Sequence, residues 1–423
     1  MDNITHSLAG LVLAEAAVQL RGGVTGAEPS RRFRTFAAVS SMIAANLPDS
    51  DLLYTGVGGD RLAYMLHHRG YTHTVVIAGI GAVLLWGAVT LAWRWRTQPA
   101  LPRGDSRWFF GLILVSAMSH LVLDWTNSYG VHPWWPFDDR WMYGDTVFIV
   151  EPSFWVLTVP LLFAASTSRV ARVLLALVLL AGLGLAWGVD LVSRGSAIAL
   201  TCGAVLSIVL VRAVGSGVRV ATAIAGWVVV TLVLAAGSAA ARETAIRAVQ
   251  AADPAAEVLD VVVSPLPANA VCMAVITVER SGDAYRIATA RVSSVPSITA
   301  ASKCGARERG GGVVQSSARQ STAALHWDAE WTAPHAELAT LARESCPALA
   351  ALRFYRVPTW RALDDSTVMM GDARFGGGSG SGFSDVRVPR RARICPANVP
   401  PWIPPRAELL GFQAGRLQQR ISR

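Results

Sequence analysis

Long uninterrupted apolar runs alternate with short arginine-bearing turns through the first 240 residues, after which the pattern changes to short alternating segments. Six runs (Thr74–Trp93, Trp108–Leu123, Pro152–Ser168, Val173–Val189, Gly195–Val211 and Val220–Ala241) are uncharged. Each is roughly long enough to cross a hydrocarbon core of about 30 Å as a helix. Two earlier segments, Ile4–Leu20 and Thr35–Leu47, are shorter or carry polar groups, and are expected to form a tilted hairpin or a re-entrant pair. The expected fold is therefore a membrane α-helical bundle of about eight transmembrane or re-entrant helices over residues 1–244. Residues 245–423 are expected to form an α+β or mostly β domain outside the membrane. There, Val258–Val263, Ala270–Glu279, Tyr285–Val292 and Ala324–Trp331 have strand character, and Ser281-Gly282-Asp283 is a turn signal. His335–Ser345 suits a short helix, Gly376–Gly382 a flexible linker, and Pro396–Pro405 an extended segment.

Composition supports that division. Of 423 residues, 52% are hydrophobic and only 16% charged, with a mean hydropathy of +0.39, which excludes a disordered chain or a small secreted domain. The net charge of +9 does not point to nucleic acid, because the arginines punctuate apolar runs instead of forming a basic stripe. Arginine instead sets sidedness: the loops 21–34, 94–107, 169–172 and 212–219 carry twelve, whereas the opposite loops carry only Arg61, Arg69, Arg140 and Arg194. The positive-inside rule then places the termini and the loops 48–73 and 127–148 outside the cytoplasm. The N-terminus has no basic region followed by a small-residue cleavage site, so no cleaved signal is expected. Cys272, Cys304, Cys346 and Cys395 all fall in the polar C-terminal segment. Without paired C-x-x-C spacing they suggest two disulfides in an oxidising compartment, with three connectivities open.

The candidate chemistry lies in ionisable residues that this topology brings to one membrane depth: His6, Asp49, Asp51, His67, His68, Arg69, His73, His120 and Asp124. His120 and Asp124 are four apart on a predicted helix and so share a face. Asp49 and Asp51 follow a helix-ending proline, and Gly70 allows a tight turn between His68 and His73. Imidazole and carboxylate without thiolate suit a divalent metal, zinc foremost with manganese or iron as alternatives, in a mono- or dinuclear hydrolytic site. Ionisable groups beside lipid are costly and usually functional. Asp49 and Asp51 are expected as ligand or base, and Arg69 either holds an anionic substrate group or pairs with one of those aspartates. His67 and His132 are expected to be interfacial, Asp145 and Glu151 topological, and Trp134, Trp135, Phe137, Trp141 and Tyr143 an aromatic belt.

Thr5-His6, Leu47-Pro48-Asp49-x-Asp51, His68-Arg69-Gly70-x-Thr72-His73, Ser119-His120-x-x-x-Asp124, Gly130 and Trp135-Pro136 together resemble the membrane-bound metal-dependent hydrolases. These are also described as LexA-regulated, inner-membrane-associated hydrolases. The resemblance covers roughly residues 1–150 and implies metal ligands at His6, Asp49, Asp51, His68, His73, His120 and Asp124. It also implies residence in a bacterial inner membrane. A more distant likeness in ligand pattern to zinc-dependent phospholipase C enzymes implies a lipid or phosphoester substrate at the outer face. Three other classes use similar residues: an ion-coupled permease or transporter, a haem protein with paired histidines, and a non-catalytic assembly protein braced by a structural metal. The clustering at one surface, the absence of an inverted repeat and the nearby aspartates weigh against the first two.

Overall fold

The computed structural model describes residues 1–55, 60–96, 101–305 and 315–411. Helices α1 (Asn3–Thr25) and α2 (Arg31–Asn46) form the first hairpin. Asp2 caps α1 by accepting from the Thr5 amide, and Gly26, at φ 64°, ends it. Ser30 caps α2 in the same way, and Pro48 stops its continuation. Two short helices follow, α3 (Leu52–Thr55) and α4 (Arg61–His67). Then come α5 (Val75–Arg96), α6 (Arg103–Trp125), α7 (Pro152–Ala165), α8 (Arg169–Gly188), α9 (Arg194–Ala213) and α10 (Ser216–Ala252). Among the described residues, α1, α5, α6, α8, α9 and α10 are long and apolar enough to cross a membrane, and the protein is a multi-pass membrane protein.

Small residues let these helices approach closely. A side chain at Gly10 would meet the Ser41 carbonyl at 2.7 Å. That proximity allows the Ser41 hydroxyl to donate to the Gly10 carbonyl at 2.6 Å, with the Ser116 hydroxyl also 2.6 Å away. Such contacts tie α1, α2 and α6 where no hydrophobic driving force separates lipid from protein. The run Pro152–Ser168 departs from the expected span. Its helix has only 14 residues, about 21 Å at 1.5 Å per residue, and Phe154, Trp155, Val156, Val159, Leu161 and Leu162 are all buried. Most of its apolar surface is covered by neighbouring helices.

Helix α10 has 37 residues, about 55 Å, and leads directly into the C-terminal domain. Strands β1 (Glu257–Leu266), β2 (Asn269–Ser281), β3 (Ala284–Ser293), β4 (Gln315–Ser316) and β5 (Leu325–Pro334) form an antiparallel sheet in the order β1-β2-β3-β5-β4. The alternation of each strand divides its two faces. Val261, Val263, Met273 and Val275 pack on Ala241, Ala245 and Val249 of α10. Val262, Ile276, Val278 and Ile287 face the other way, toward α11 (His335–Glu344), α12 (Cys346–Leu352) and the second sheet, β6 (Pro358–Ala362), β7 (Thr367–Asp372) and β8 (Val386–Pro389). The disulfides pair Cys272 with Cys304 and Cys346 with Cys395. Segment 376–382 is not a free linker: the Asp385 carboxylate accepts from the amides of Gly378, Gly380 and Gly382, which folds the loop around one charge.

The second core cluster crosses the expected division of the chain. Leu62, Met65, Leu66, Tyr129 and Trp141 from the helical region pack with Phe354, Tyr355, Trp360 and Trp402. Buried Arg356 bridges Asp145 at 2.7 Å and Asp260 at 2.8 Å. The sheet domain therefore lies over the loops that connect the helices at one end of the bundle.

Candidate metal centre

Four chain segments end or begin at that same end of the bundle. His6 is on the first turn of α1, Asp49 and Asp51 on the turn after α2, His68 and His73 on the approach to α5, and His120 and Asp124 on the last turns of α6. Antiparallel helices must place these positions at one level, which is how residues 118 positions apart, from His6 to Asp124, come together.

The imidazoles of His120 and His73 are each oriented by the other ring nitrogen. His120 Nδ1 donates to the Ala45 carbonyl at 2.7 Å, and His73 Nδ1 lies 3.3 Å from Asp51 Oδ2. In the neutral ring either arrangement keeps the proton on Nδ1 and turns the Nε2 lone pair toward the centre. There the two Nε2 atoms are 3.2 Å apart. Asp124 Oδ2 is 3.2 Å from His73 Nε2 and 3.4 Å from His120 Nε2, and Asp49 Oδ1 is 3.3 Å from His73 Nε2. Ligand atoms of Asp49, His73, His120 and Asp124 lie within 4.8 Å of one another, as do those of Asp49, Asp51 and His68. Asp49 belongs to both groups.

The donor set fits a cation. Among the described residues, Asp124 Oδ2 is buried without a hydrogen-bond partner, an expensive state for a carboxylate oxygen unless a positive charge faces it. Asp124 Oδ1 is occupied, contacting Arg69 Nη2 at 2.9 Å and the Met1 nitrogen. Burial alone would lower the pKa of His73, but Asp124, Asp49 and Asp51 raise it to about 10. Burial works against ionisation of Asp49 too, yet its bond to His73 and the charges of His120 and His73 bring it down to about 2. For Asp51, His68 and His73 likewise outweigh burial and hold the acid below the usual carboxylate range. The carboxylates thus demand positive charge at this point, from protons or from a metal ion.

His6 is present but belongs to neither group. Its ring stacks on His120 at 3.7 Å, with Nε2 3.3 Å from Asp124 Oδ1. Arg69 pairs with Asp124, a partner outside the two aspartates anticipated for it, while its backbone amide donates to Asp51 Oδ2 at 2.9 Å. Arg69, not Gly70, takes the left-handed conformation, with φ 58°, at a cost of about 1–2 kcal/mol. Gly70 is required by proximity: a side chain there would meet the His67 carbonyl at 2.8 Å.

His132 is buried, not interfacial. It lies between Trp141 and Trp402, and Nδ1 donates to the Arg69 carbonyl at 3.3 Å. Burial lowers its pKa to about 3, so the ring is neutral. Trp141 and Tyr143 are likewise packed inside, whereas Trp134 and Phe137 are exposed. Asp145 serves the Arg356 bridge, and Glu151 caps α7 and accepts from the Ala268 amide. Sequence reasoning passed over Asn127, which accepts from Arg69 Nη1 at 3.0 Å, and Tyr129, whose ring lies beneath the Arg69 guanidinium at 4.7 Å. Asn127 lies three residues after Asp124, just past the end of α6, the local hint of its place.

No curated protein and no solved structure matches the chain. Residues 1–197, the stretch that contains every one of the histidines, aspartates and Arg69 gathered here, match the family model described as YdjM inner membrane protein.

Proposed function

We propose that the protein is an integral membrane metal-dependent hydrolase of the bacterial inner membrane that cleaves an ester or phosphoester, lipid-like in character, at the outer face. The observation that supports this most directly is the convergence of His73 Nε2, His120 Nε2, Asp49 and the orphaned Asp124 Oδ2 on one point, with Asp49 shared by a second group. Asp49, His73, His120 and Asp124 would hold one cation, and Asp49, Asp51 and His68 a second. Zinc suits the nitrogen and oxygen donors best. Bound divalent cations supply Lewis-acid polarisation of the scissile oxygen and acidify water.

The chain's own residues divide the remaining work. Asp51 and the Ala45 carbonyl fix the tautomers of His73 and His120. Asp49 and His68 keep 10% and 12% of their side chains exposed, whereas Asp51, His73 and His120 keep none, so substrate enters on the Asp49–His68 side. Asp49 is the carboxylate on that side, shared by both cation groups, and Arg69, with its Nε unpartnered, would face an anionic group. The arginine asymmetry of the loops and the two disulfides support placing this end of the bundle, with the sheet domain, outside the cytoplasm.

The test is metal content of the purified full-length protein, followed by hydrolysis of a chromogenic phosphodiester and of phospholipid vesicles. Stoichiometric transition metal and metal-dependent turnover are expected, both lost in His120→Ala. Wild-type protein that takes up no transition metal on reconstitution would overturn the reading.

A further inference from the structure

Beside the cation groups, and among the described residues, buried hydrogen-bond donors stand unused, three of them on side chains in mutual contact. Arg69 Nε, Asn127 Nδ2 and the Tyr129 hydroxyl are all buried and have no hydrogen-bond partner, on residues that are 2%, 3% and 7% exposed. A buried donor without an acceptor costs about 1–3 kcal/mol, so three on touching side chains call for a common partner. The orientation of Asn127 is fixed. Its Oδ1 accepts both the Tyr129 amide at 2.9 Å and Arg69 Nη1 at 3.0 Å, so the amide cannot flip and Nδ2 must present both its protons elsewhere. The Tyr129 ring packs beneath the Arg69 guanidinium at 4.7 Å and edge-to-face with His68 at 5.7 Å. Tyr129 therefore adjoins His68, which with Asp49 retains exposure, and Arg69 and Asn127 adjoin Tyr129.

We infer that Arg69, Asn127 and Tyr129 form an anion subsite that binds the phosphoryl group of the substrate, making this a site for phosphoesters and not for neutral carboxylic esters. This rests on the hydrolase reading for its second half. Two divalent cations together with Arg69 outweigh the charge of Asp49, Asp51 and Asp124, so the loaded site is cationic and complementary to an anion. A guanidinium, an amide and a phenol donating from different directions suit a group that carries several equivalent oxygens. The acceptor side of Asn127 is internally consumed, so only its donor side is left for a ligand.

The test is titration of the metal-reconstituted full-length protein in detergent with inorganic phosphate, followed calorimetrically, for wild type, Asn127→Asp and Tyr129→Phe. Asn127→Asp keeps the acceptor that holds Arg69 and the Tyr129 amide while replacing the donor by a negative charge. Tyr129→Phe removes one hydroxyl and keeps the ring. Wild-type binding that weakens at least tenfold in Asn127→Asp and several-fold in Tyr129→Phe, with metal content unchanged, is expected. Wild type that binds no phosphate, or both variants binding it as wild type does, would overturn the proposal. Metal content reports separately on the hydrolase reading: metal-free wild type that still binds phosphate through Asn127 and Tyr129 would remove that reading and uphold the subsite. Competition in lipid nanodiscs tells the source of the group. Displacement of phosphate by discs containing phosphatidic acid, but not by phosphatidylcholine discs, marks a lipid headgroup, and its persistence in both marks a soluble phosphoester.

Discussion

The imidazole of His132 lies flat on the indole of Trp402, ring centroids 3.9 Å apart and planes 21° from parallel. One ring comes from the loop after α6 and the other from the C-terminal tail. Trp402 also donates to the Leu66 carbonyl at 3.0 Å, and His132 holds the carbonyl of Arg69. The tail thereby braces the turn that carries His68 and Arg69.

Trp402→Ala is accordingly expected to lower stability by about 3–5 kcal/mol, the usual cost of emptying a large aromatic site. It should also weaken metal binding, although Trp402 touches none of the candidate ligands. Thermal unfolding and metal titration of the variant check this. An unchanged affinity would mean that the tail only covers the site.

Asp124 is the residue on which most of the centre's charge converges, facing Arg69, His73 and His120. Asp124→Asn preserves its size and removes the charge. Metal affinity should fall on the order of a hundredfold or more, since even outer-shell partners of ligands cost about 10–100-fold. The same substitution leaves Arg69 without its carboxylate, so a lower melting temperature should accompany the loss. Titration of both proteins with zinc measures the first effect.

Protons and metal compete for His73. In the metal-free protein the surrounding carboxylates raise its pKa to about 10, so it is protonated at neutral pH and must release that proton to bind a cation. Metal affinity should therefore rise with pH, by about tenfold per unit below that value for the one proton displaced. Isothermal titration in buffers of different ionisation enthalpy counts the protons released. A pH-independent affinity between pH 6 and 8 would contradict the assignment of His73 as a ligand.

Cys346 opens α12 and Cys395 precedes the tail that delivers Trp402, closing a separation of 49 residues. Replacing both by serine should cost about 2–4 kcal/mol, seen as a lower melting temperature. After reduction, Cys346 and Cys395 should react with a membrane-impermeant maleimide in intact spheroplasts. Labelling only after lysis would put the sheet domain in the cytoplasm.

Much of this architecture is visible in local pattern. Apolar runs mark the helices long enough to cross, and period-two alternation marks β1, β2, β3 and β5. Even the candidate site is partly legible, because antiparallel helices of similar length must return His6, Asp49, His73 and Asp124 to the same level. Sequence alone missed the second sheet and α12, whose segments are short and lack a distinct period.

What local pattern cannot state is which atom meets which. The apolar run at α7 has the composition of a span, yet its place inside the bundle follows from neighbours such as Trp227, which stacks on Phe154 at 4.2 Å. The pairing of Arg69 with Asp124, the sharing of Asp49 between two ligand groups and the stacking of His132 on Trp402 join residues up to 270 positions apart. Hydropathy and helical period are properties of neighbours along the chain. Coordination and hydrogen bonding act over about 3 Å, and only the packed bundle, with the sheet domain lying on it, brings distant side chains within that reach.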